Sequence, residues 1–565
     1  MKKLIHKTKK MLLVLLVSAG IFSSFSFVDN YFEVSKNLDI FATLFREVNM
    51  YYVDETKPGD LMKKGMDAML ESLDPYTNYI PESDIEDYRF MQTGQYGGIG
   101  SLIRKKNDQI VISEPYEGYP AYKADLRAGD VILEVDGKPI KGKNQDDISK
   151  ILKGQPNTIV KLLIEREGEK NPIEKVITRE EIKVKSVPFY GMLEGNVGYM
   201  RLTSFTQESS DEVKKAFTEL KSKNPGLKGI VFDLRGNPGG LLHEAINISN
   251  LFVEKGTDIV STKGKVQEWN KVYKSINSPV DVTIPVALLI NSGSASASEI
   301  VSGSLQDLDR AVVIGQRSFG KGLVQTTREL SYHSQLKVTT AKYYIPSGRC
   351  IQALDYTNRN EDGSVGKIPD SLITLFKTKG GRPVYDGGGI KPDIALAAAT
   401  YSKIAISLEN KALIFDFATK YRREHANIVP AKEFKLSEKE YEEFMAFISN
   451  KEYDYTTKSE KLLKELKETA KSEKYFEAAE SEYEALKAKL IHHKTEDLSN
   501  FKSEIKSLIE SEIVSRYYYQ KGKIEASLAN DPEVKKAIDV LSDPILYTSI
   551  LSGKYKDPEI AVEKK

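Results

Sequence analysis

The chain has 565 residues, which predicts three or four domains at roughly 100–200 residues each. Its 82 basic and 81 acidic side chains nearly cancel, so charge gives no reason to expect nucleic acid as a partner. The single cysteine, Cys350, excludes an intramolecular disulfide and a cysteine-based zinc cluster, and six scattered histidines leave little for a histidine site. We therefore expect neither a metal nor a cofactor.

Residues 1–28 have the pattern of an export signal. Five lysines precede an apolar run from Met11 to Val28, and Ser24 and Ser26 have the spacing of a cleavage site. The alternative is an uncleaved membrane anchor, because about 18 apolar residues is near the lower limit for crossing a bilayer. Either alternative predicts an extracytoplasmic protein, in the periplasm or cell envelope.

Residues 29–92 are predicted to form an N-terminal helical domain. Ile40, Leu44, Val48 and Tyr51 recur at helical spacing, and the segment Asp74-Pro75-Tyr76-Thr77 interrupts the pattern. Two roles remain open for this domain, either internal packing or the assembly of a homo-oligomer.

A compact β-rich module is predicted over residues 93–178. The segment Asp136-Gly137 is a strong hairpin signal. Three short apolar runs predict strands: Ile110–Ile112, Val131–Val135 and Val160–Ile164. The segment Gln145–Leu152 predicts a short helix.

Residues 179–398 alternate between strands and helices, which predicts an α/β domain. The expected strands are Val197–Leu202, Gly229–Leu234 and Val286–Ile290, of which the last two have the apolar character of strands buried on both faces. The expected amphipathic helix is Glu208–Lys221. Residues 399–565 are rich in lysine and glutamate and predict a helical C-terminal domain. We interpret this last domain as a solvated helical appendage, and its role stays open.

Three segments of the α/β domain differ from ordinary scaffold. Asp233–Gly240 ends in two glycines that can present backbone N–H groups to an anion. Asn291–Glu299 places small residues, four of them serines, between a strand and a helix, where a nucleophile or merely a helix cap can stand. Ser318–Gln325 holds Lys321 between two glycines, as either a functional or a solvated lysine.

Simple geometry joins the second and third segments. A helix after the serines descends about 20 Å, and the strand after it climbs about 20 Å. Lys321 therefore returns to the level of the serines, as a Ser–Lys dyad requires. Such a lysine must be desolvated enough to lose its proton near neutral pH.

These motifs resemble the C-terminal processing peptidases, also called tail-specific proteases. The likeness rests on Gly-Ser-Ala-Ser-Ala-Ser-Glu, on Phe-Gly-Lys-Gly-x-Val-Gln and on Asp-Leu-Arg-Gly-Asn-Pro-Gly-Gly. It implies Ser296 as nucleophile, Lys321 as base and Gln325 as the residue that orients the lysine. It also implies an oxyanion hole made by the N–H of Ala297 with that of Gly239 or Gly240.

The resemblance further implies a multidomain α+β protein. Its parts would be an N-terminal helical segment, a PDZ domain, a crotonase-like α/β peptidase core and a charged helical C-terminal region. The PDZ domain would capture a free, apolar C-terminus of a protein substrate by strand addition. The residues implied for that contact are Gly97, Gly98, Ile99, Gly100 and Leu102.

The sequence thus predicts a serine endopeptidase that recognises C-termini and acts through an acyl-enzyme. The alternative is a PDZ-based binding scaffold with an inactive peptidase domain, against which the intact Ser296 and Lys321 argue. A Ser–His hydrolase that uses His243 or His333 has no support from a motif.

Overall fold

The structure is a computed structural model that describes residues 31–490 and 494–555. The export signal or anchor predicted for residues 1–28 lies outside the described residues. Within the described part, no helix combines the length and the apolar character needed to cross a membrane. The chain divides into two compact units, one ending at Tyr79 and the other beginning at Ile80.

The first unit is helical in its described part. It contains helix α1 over residues 31–51 and helix α2 (Pro58–Glu71), and strand β1 (Asn78–Ile80) begins at its end. Leu44 and Tyr51 are exposed within this unit. The predicted break is confirmed, because the buried Asp74 carboxylate accepts the N–H groups of Tyr76 and Thr77 at 2.8 and 2.9 Å and so closes a turn.

A β-rich module opens the second unit. The antiparallel sheet has the order β3-β4-β5-β7-β8, with β6 paired to β5, while β2 pairs with β9. The predicted hairpin is confirmed, since Asp136 and Gly137 both have positive φ. The elements are α3 (Ile85–Thr93), β2 (Gln95–Gly98), β3 (Ser101–Lys106), β4 (Gln109–Pro115), α4 (Pro120–Lys123), β5 (Val131–Val135), β6 (Lys138–Pro139), α5 (Gln145–Leu152), β7 (Ile159–Glu165), β8 (Ile173–Thr178) and β9 (Glu180–Lys183).

The α/β domain is built on a six-stranded sheet of order β10-β11-β12-β15-β16-β23. All its pairs are parallel except β10–β11. Its elements up to the serine helix are β10 (Phe189–Leu193), β11 (Val197–Arg201), α6 (Ser209–Lys223), β12 (Gly229–Asp233), α7 (Leu242–Asn250), β13 (Asp258–Gly264), β14 (Lys271–Lys274), β15 (Val286–Ile290) and α8 (Ala297–Asp307).

The remaining strands of this domain include a second, antiparallel sheet in which β17, β18, β13 and β14 are neighbours. They are β16 (Val312–Gly315), β17 (Leu323–Glu329), β18 (Gln335–Tyr344), β19 (Leu354–Arg359), β20 (Val365–Lys367), β21 (Leu375–Lys377), β22 (Pro383–Tyr385) and β23 (Ile394–Ala395).

The central parallel strands β12, β15 and β16 are buried along their whole length, as strands covered on both faces should be. Their carboxyl ends carry the three segments that the sequence singled out. In open α/β sheets, ligands bind outside such strand ends. The topology therefore brings the glycine turn, the serine turn and the lysine loop to one edge of the sheet.

The C-terminal region is helical, as predicted, but its interpretation as a solvated appendage is wrong. Val534, Ala537 and Leu541 pack beneath the central sheet against Val231 and Leu289. A separate core joins Ile404, Phe417, Phe444 and Ile509. The helices are α9 (Lys403–Asn410), α10 (Leu413–Glu424), α11 (Glu438–Ile448), α12 (Lys458–Ser472), α13 (Phe476–Leu490), α14 (Lys494–Asn500), α15 (Lys502–Leu528), α16 (Pro532–Ser542) and α17 (Pro544–Leu551).

Helix α15 is kinked where it meets the β-rich module. Tyr519 has φ 55° and ψ −160°, which interrupts the helix. The Gln520 N–H donates instead to the Glu114 carboxylate of the module at 2.9 Å, and the Tyr519 ring packs edge-on against Tyr122. Nearby, the guanidinium of Arg104 lies over the ring of Phe415 in α10. The module is thereby fastened to the C-terminal helices.

Candidate active site

The four serines of the segment Asn291–Glu299 differ in their surroundings. Ser294 and Ser298 are fully buried, and their hydroxyls donate to the carbonyls of Leu234 and Asn237 at 2.8 and 2.9 Å. Ser292 is exposed and Ser296 is partly buried. Ser294 and Ser298 thus tie the serine turn to the glycine turn, and Ser296 is the solvent-accessible serine that stands directly at the start of α8.

The backbone of Ser296 is strained. Its φ of 53° and ψ of −111° lie outside the regions that side-chain-bearing residues prefer. The N–H of Ser296 donates to Glu299 Oε2 at 2.8 Å. Its carbonyl accepts the Tyr343 hydroxyl at 3.2 Å and the N–H groups of Glu299 and Ile300 in α8 at 2.8 and 2.9 Å. These contacts hold the strained residue at the positive end of the helix dipole.

Glu299 connects the serine turn to the lysine loop. Its Oε2 accepts the N–H groups of both Ser296 and Lys321, at 2.8 and 2.9 Å. Its Oε1 accepts the Ser318 hydroxyl at 2.5 Å and the Gly320 N–H at 2.7 Å. One carboxylate therefore fixes the backbones that carry Ser296 and Lys321 beside each other.

The Glu299 side chain has no exposed surface. Burial raises its pKa from 4.5 to about 7, against the lowering effect of the four hydrogen bonds that it accepts. Three of its donors are backbone N–H groups, which cannot reverse their direction. The ionised carboxylate is consequently the form that satisfies all of them.

Gly239 of the glycine turn lies against Ser296. Its φ is 97°, and a Cβ atom there would stand 2.8 Å from Ala297 N and 2.9 Å from Ser296 Cβ. The Gly239 N–H donates to Asn237 Oδ1 at 2.9 Å. A Cβ atom on Gly240 would not point toward Ser296, because it would meet the carbonyl of Phe205. The chain can approach the serine this closely only without a side chain at position 239.

Gln325 lies in β17, four residues after Lys321, at a register shift of the β17–β18 pair. Its side-chain amide donates to Thr339 Oγ1 at 3.1 Å. Four candidate residues of the catalytic site thus lie at one edge of the sheet: Ser296, Ala297, Lys321 and Gly239. Gln325 lies on β17, the strand that begins after the lysine loop.

The β-rich module has a groove between β3 and α5. Strand β3 is an edge strand of its sheet. Gly97 and Gly98 pair with β9, and Ile99 is buried at the groove. Leu102 is half exposed and does not line the groove, whereas Ile103 does. The lining residues are Tyr96, Ile99, Ser101, Ile103, Ser149, Leu152 and Lys153.

Two residues of this site escaped the sequence argument. Glu299 stands three positions after Ser296, which is the spacing of a helix capping box and predicts its contact with the Ser296 N–H. No local signal predicts its second contact with Lys321. Tyr343 lies 47 positions beyond Ser296 in sequence, and only the folded β18 brings its hydroxyl to the serine turn.

Three family models and several known proteins match parts of the chain. The family model for Peptidase family S41 matches residues 196–358, that for the PDZ domain matches residues 111–166, and that for the C-terminal helical domain of PDZ-proteases matches residues 404–541. A carboxy-terminal-processing protease of Bartonella bacilliformis is 39% identical over 356 residues, which cover 61% of this chain and 81% of that protein.

Two further proteins are similar to parts of the chain. A CtpA-like serine protease of Staphylococcus aureus is 39% identical over 321 residues, covering 56% of this chain and 62% of that protein. A solved photosystem II D1 C-terminal processing protease is 28% identical, with a TM-score of 0.34, and covers 63% of this chain and 92% of its own. The chain belongs to the carboxy-terminal-processing proteases of peptidase family S41. The predicted family and the mixed helix-and-sheet fold class are confirmed.

The close approach of Gly239 to Ser296 generates a first prediction. Gly239→Ala should lower peptidase activity by about 100-fold or more, because the added methyl group fills the space beside Ser296 and the Ala297 N–H, where an oxyanion must fit. Initial rates on a peptide substrate measure this. Gly236→Ala is the matched control, since Gly236 also has a positive φ but open space around its Cβ position. Equal losses in the two variants would contradict the prediction.

The raised pKa of Glu299 generates a second prediction. The pKa of Glu299 is about 7 in the folded protein and has its ordinary value of 4.5 in the unfolded chain. Between pH 4.5 and 7 the folded protein therefore binds the carboxyl proton while the unfolded chain has lost it. The contribution of Glu299 to stability therefore falls as pH rises from about 4.5 to 7 and is level above that. Glu299→Gln should remove this slope. Urea unfolding midpoints of both proteins across this pH range measure it, and parallel curves would refute it.

Proposed function

We propose that this protein is a serine endopeptidase with a Ser296–Lys321 dyad, and that its PDZ domain recognises the free C-termini of protein substrates. The observation that carries the dyad is the single buried oxygen of Glu299 that accepts the N–H groups of both residues. The shared acceptor keeps the backbones of the two residues adjacent, as a nucleophile and its base require.

In this mechanism Ser296 Oγ attacks the substrate carbonyl while Lys321 Nζ takes the hydroxyl proton. The tetrahedral oxyanion is stabilised by the Ala297 N–H at the start of α8 and by a second N–H from the glycine turn. The bond between Gly239 N–H and Asn237 favours Gly240 for this second role. Lys321 then protonates the leaving amine, and water attacks the acyl-enzyme with the lysine again as base. Gln325 orients the lysine.

Recognition of C-termini is supported by the edge position of β3 and by the apolar groove beside it. An extended tail can add to β3 by backbone hydrogen bonds, with its last side chain against Ile99, Ile103 and Leu152. The turn from Gly98 to Ser101, where Gly100 has a positive φ, would present N–H groups to the terminal carboxylate. The substrates in this proposal are proteins with free, apolar C-termini.

The same proposal divides the chain into domains at residues 29–92, 93–178, 179–398 and 399–565. It also includes a homo-oligomer, whose interface would cover the exposed apolar side chains of α1. The competing proposal, an inactive scaffold, finds less support because the strained Ser296 at the start of α8 is accessible while its neighbours Ser294 and Ser298 are buried.

The dyad predicts that Ser296→Ala and Lys321→Ala each reduce kcat by about 10³-fold or more. Lys321→Arg should be equally inactive, because a guanidinium does not lose its proton. The double variant should be no worse than either single one, since the two side chains act as a unit. Steady-state cleavage of a labelled peptide measures this. Ser292→Ala, which changes an exposed serine of the same turn, is the control and should keep most of the activity; turnover by Ser296→Ala would exclude the dyad.

Recognition by the PDZ domain predicts that amidating the substrate C-terminus weakens binding by about tenfold or more, because the backbone N–H groups lose a charged acceptor. Matched peptides that differ only at the terminal group should show this by calorimetry and by KM. A charged last residue should have a similar effect, since it would enter an apolar groove. Equal binding of the acid and the amide would disprove the proposed recognition.

A further inference from the structure

Glu533 lies in the first turn of α16, with almost no exposed surface, and the proposed mechanism gives it no role. Its Oε2 accepts Arg235 Nη1 at 2.5 Å. Its Oε1 accepts a short hydrogen bond from the Gln316 side-chain amide. A single carboxylate of the C-terminal region thus contacts the ends of two central strands.

The Arg235 contact leads to the glycine turn. Arg235 follows β12, and its Nε and Nη2 donate to both oxygens of Asp233 at 2.9 and 2.7 Å. Its Nη1 also reaches Asp531 at 2.8 Å. Although burial lowers the pKa of Arg235, these three carboxylates raise it, so the guanidinium stays charged. Four residues beyond Arg235, Gly239 lies against Ser296.

The Gln316 contact leads to the lysine loop. Gln316 follows β16, and its N–H donates to the carbonyl of Ile290 at 3.0 Å. Its side chain also donates to the carbonyl of Leu396. Two residues further along, Ser318 bonds to Glu299, and Lys321 follows. Glu533 therefore stands directly between the origins of the two loops that flank Ser296.

We propose that Glu533 is a positioning residue of the peptidase, through which the C-terminal helical region sets the spacing between the glycine turn and the lysine loop. This inference rests on the proposed function. A displacement of about 1 Å in such loops can cost on the order of 100-fold in rate. Loss of the carboxylate would leave the buried Arg235 with fewer charged acceptors and would let the two strand ends separate.

The test is Glu533→Gln, assayed in the full chain with a short peptide that bypasses the PDZ domain. We expect kcat to fall about tenfold or more while KM changes less than about twofold, because substrate contacts are untouched. Glu533→Asp keeps the charge but shortens the side chain, so its kcat should lie between those of the unchanged protein and Glu533→Gln. The matched control is Glu510→Gln, since Glu510 is a mostly buried carboxylate of α15 that bonds Lys435 and the Leu436 N–H far from the strand ends.

Each outcome decides the matter. A lower kcat in Glu533→Gln with a melting temperature near that of the control supports the proposal. A normal kcat, a change in KM alone, or equal losses in the Glu510 variant overturns it, as does unfolding of both Glu533 variants. If Ser296→Ala still cleaves at the normal rate, the proposed function itself fails. A normal kcat in Glu533→Gln beside an inactive Ser296→Ala removes only this inference.

Discussion

The buried carboxylate of Glu299 is the contact on which the candidate site depends. A carboxylate without solvent is costly unless hydrogen bonds replace water, and here four donors do so. Those donors come from two loops that follow different strands. Their convergence on one group gives the strained Ser296 and the lysine loop a common reference point, so that neither can move without leaving a buried polar group unpaired.

Further hydrogen bonds and ion pairs around Glu299 hold the serine turn, the lysine loop and the glycine turn in place. The Tyr343 hydroxyl holds the serine carbonyl, and the Tyr343 N–H also donates to the Gly322 carbonyl beside Lys321. Asp233 and Arg235 brace the glycine turn with paired charges, and α16 closes the lower face of the same sheet. Helices α16 and α17 are thus part of the core of the peptidase sheet, whereas α9, α10 and α11 pack in a separate core.

The sequence predicts most of the local elements because strands and helices follow from apolar periodicity and turn residues, as for β5 and α5. It fails where a contact is made between distant segments. The many charges of residues 399–565 hide the short apolar stripe of Val534, Ala537 and Leu541, whose partners Val231 and Leu289 lie in a distant part of the chain. The family resemblance implies Leu102 at the groove, but Ile103 lines it instead, next to a register shift between Leu102 and Ile103 in the β3–β4 pair.

The kink in α15 has a consequence for how the domains can be separated. At Tyr519 the helix gives up its own hydrogen bonding, and the Glu114 side chain of another domain accepts the Gln520 N–H in its place. Excising the PDZ domain would remove that acceptor and leave the bend without its partner. The bend in α15 and the PDZ domain therefore support each other at this junction, and a shortened chain without the PDZ domain would have to rebuild the middle of its longest C-terminal helix.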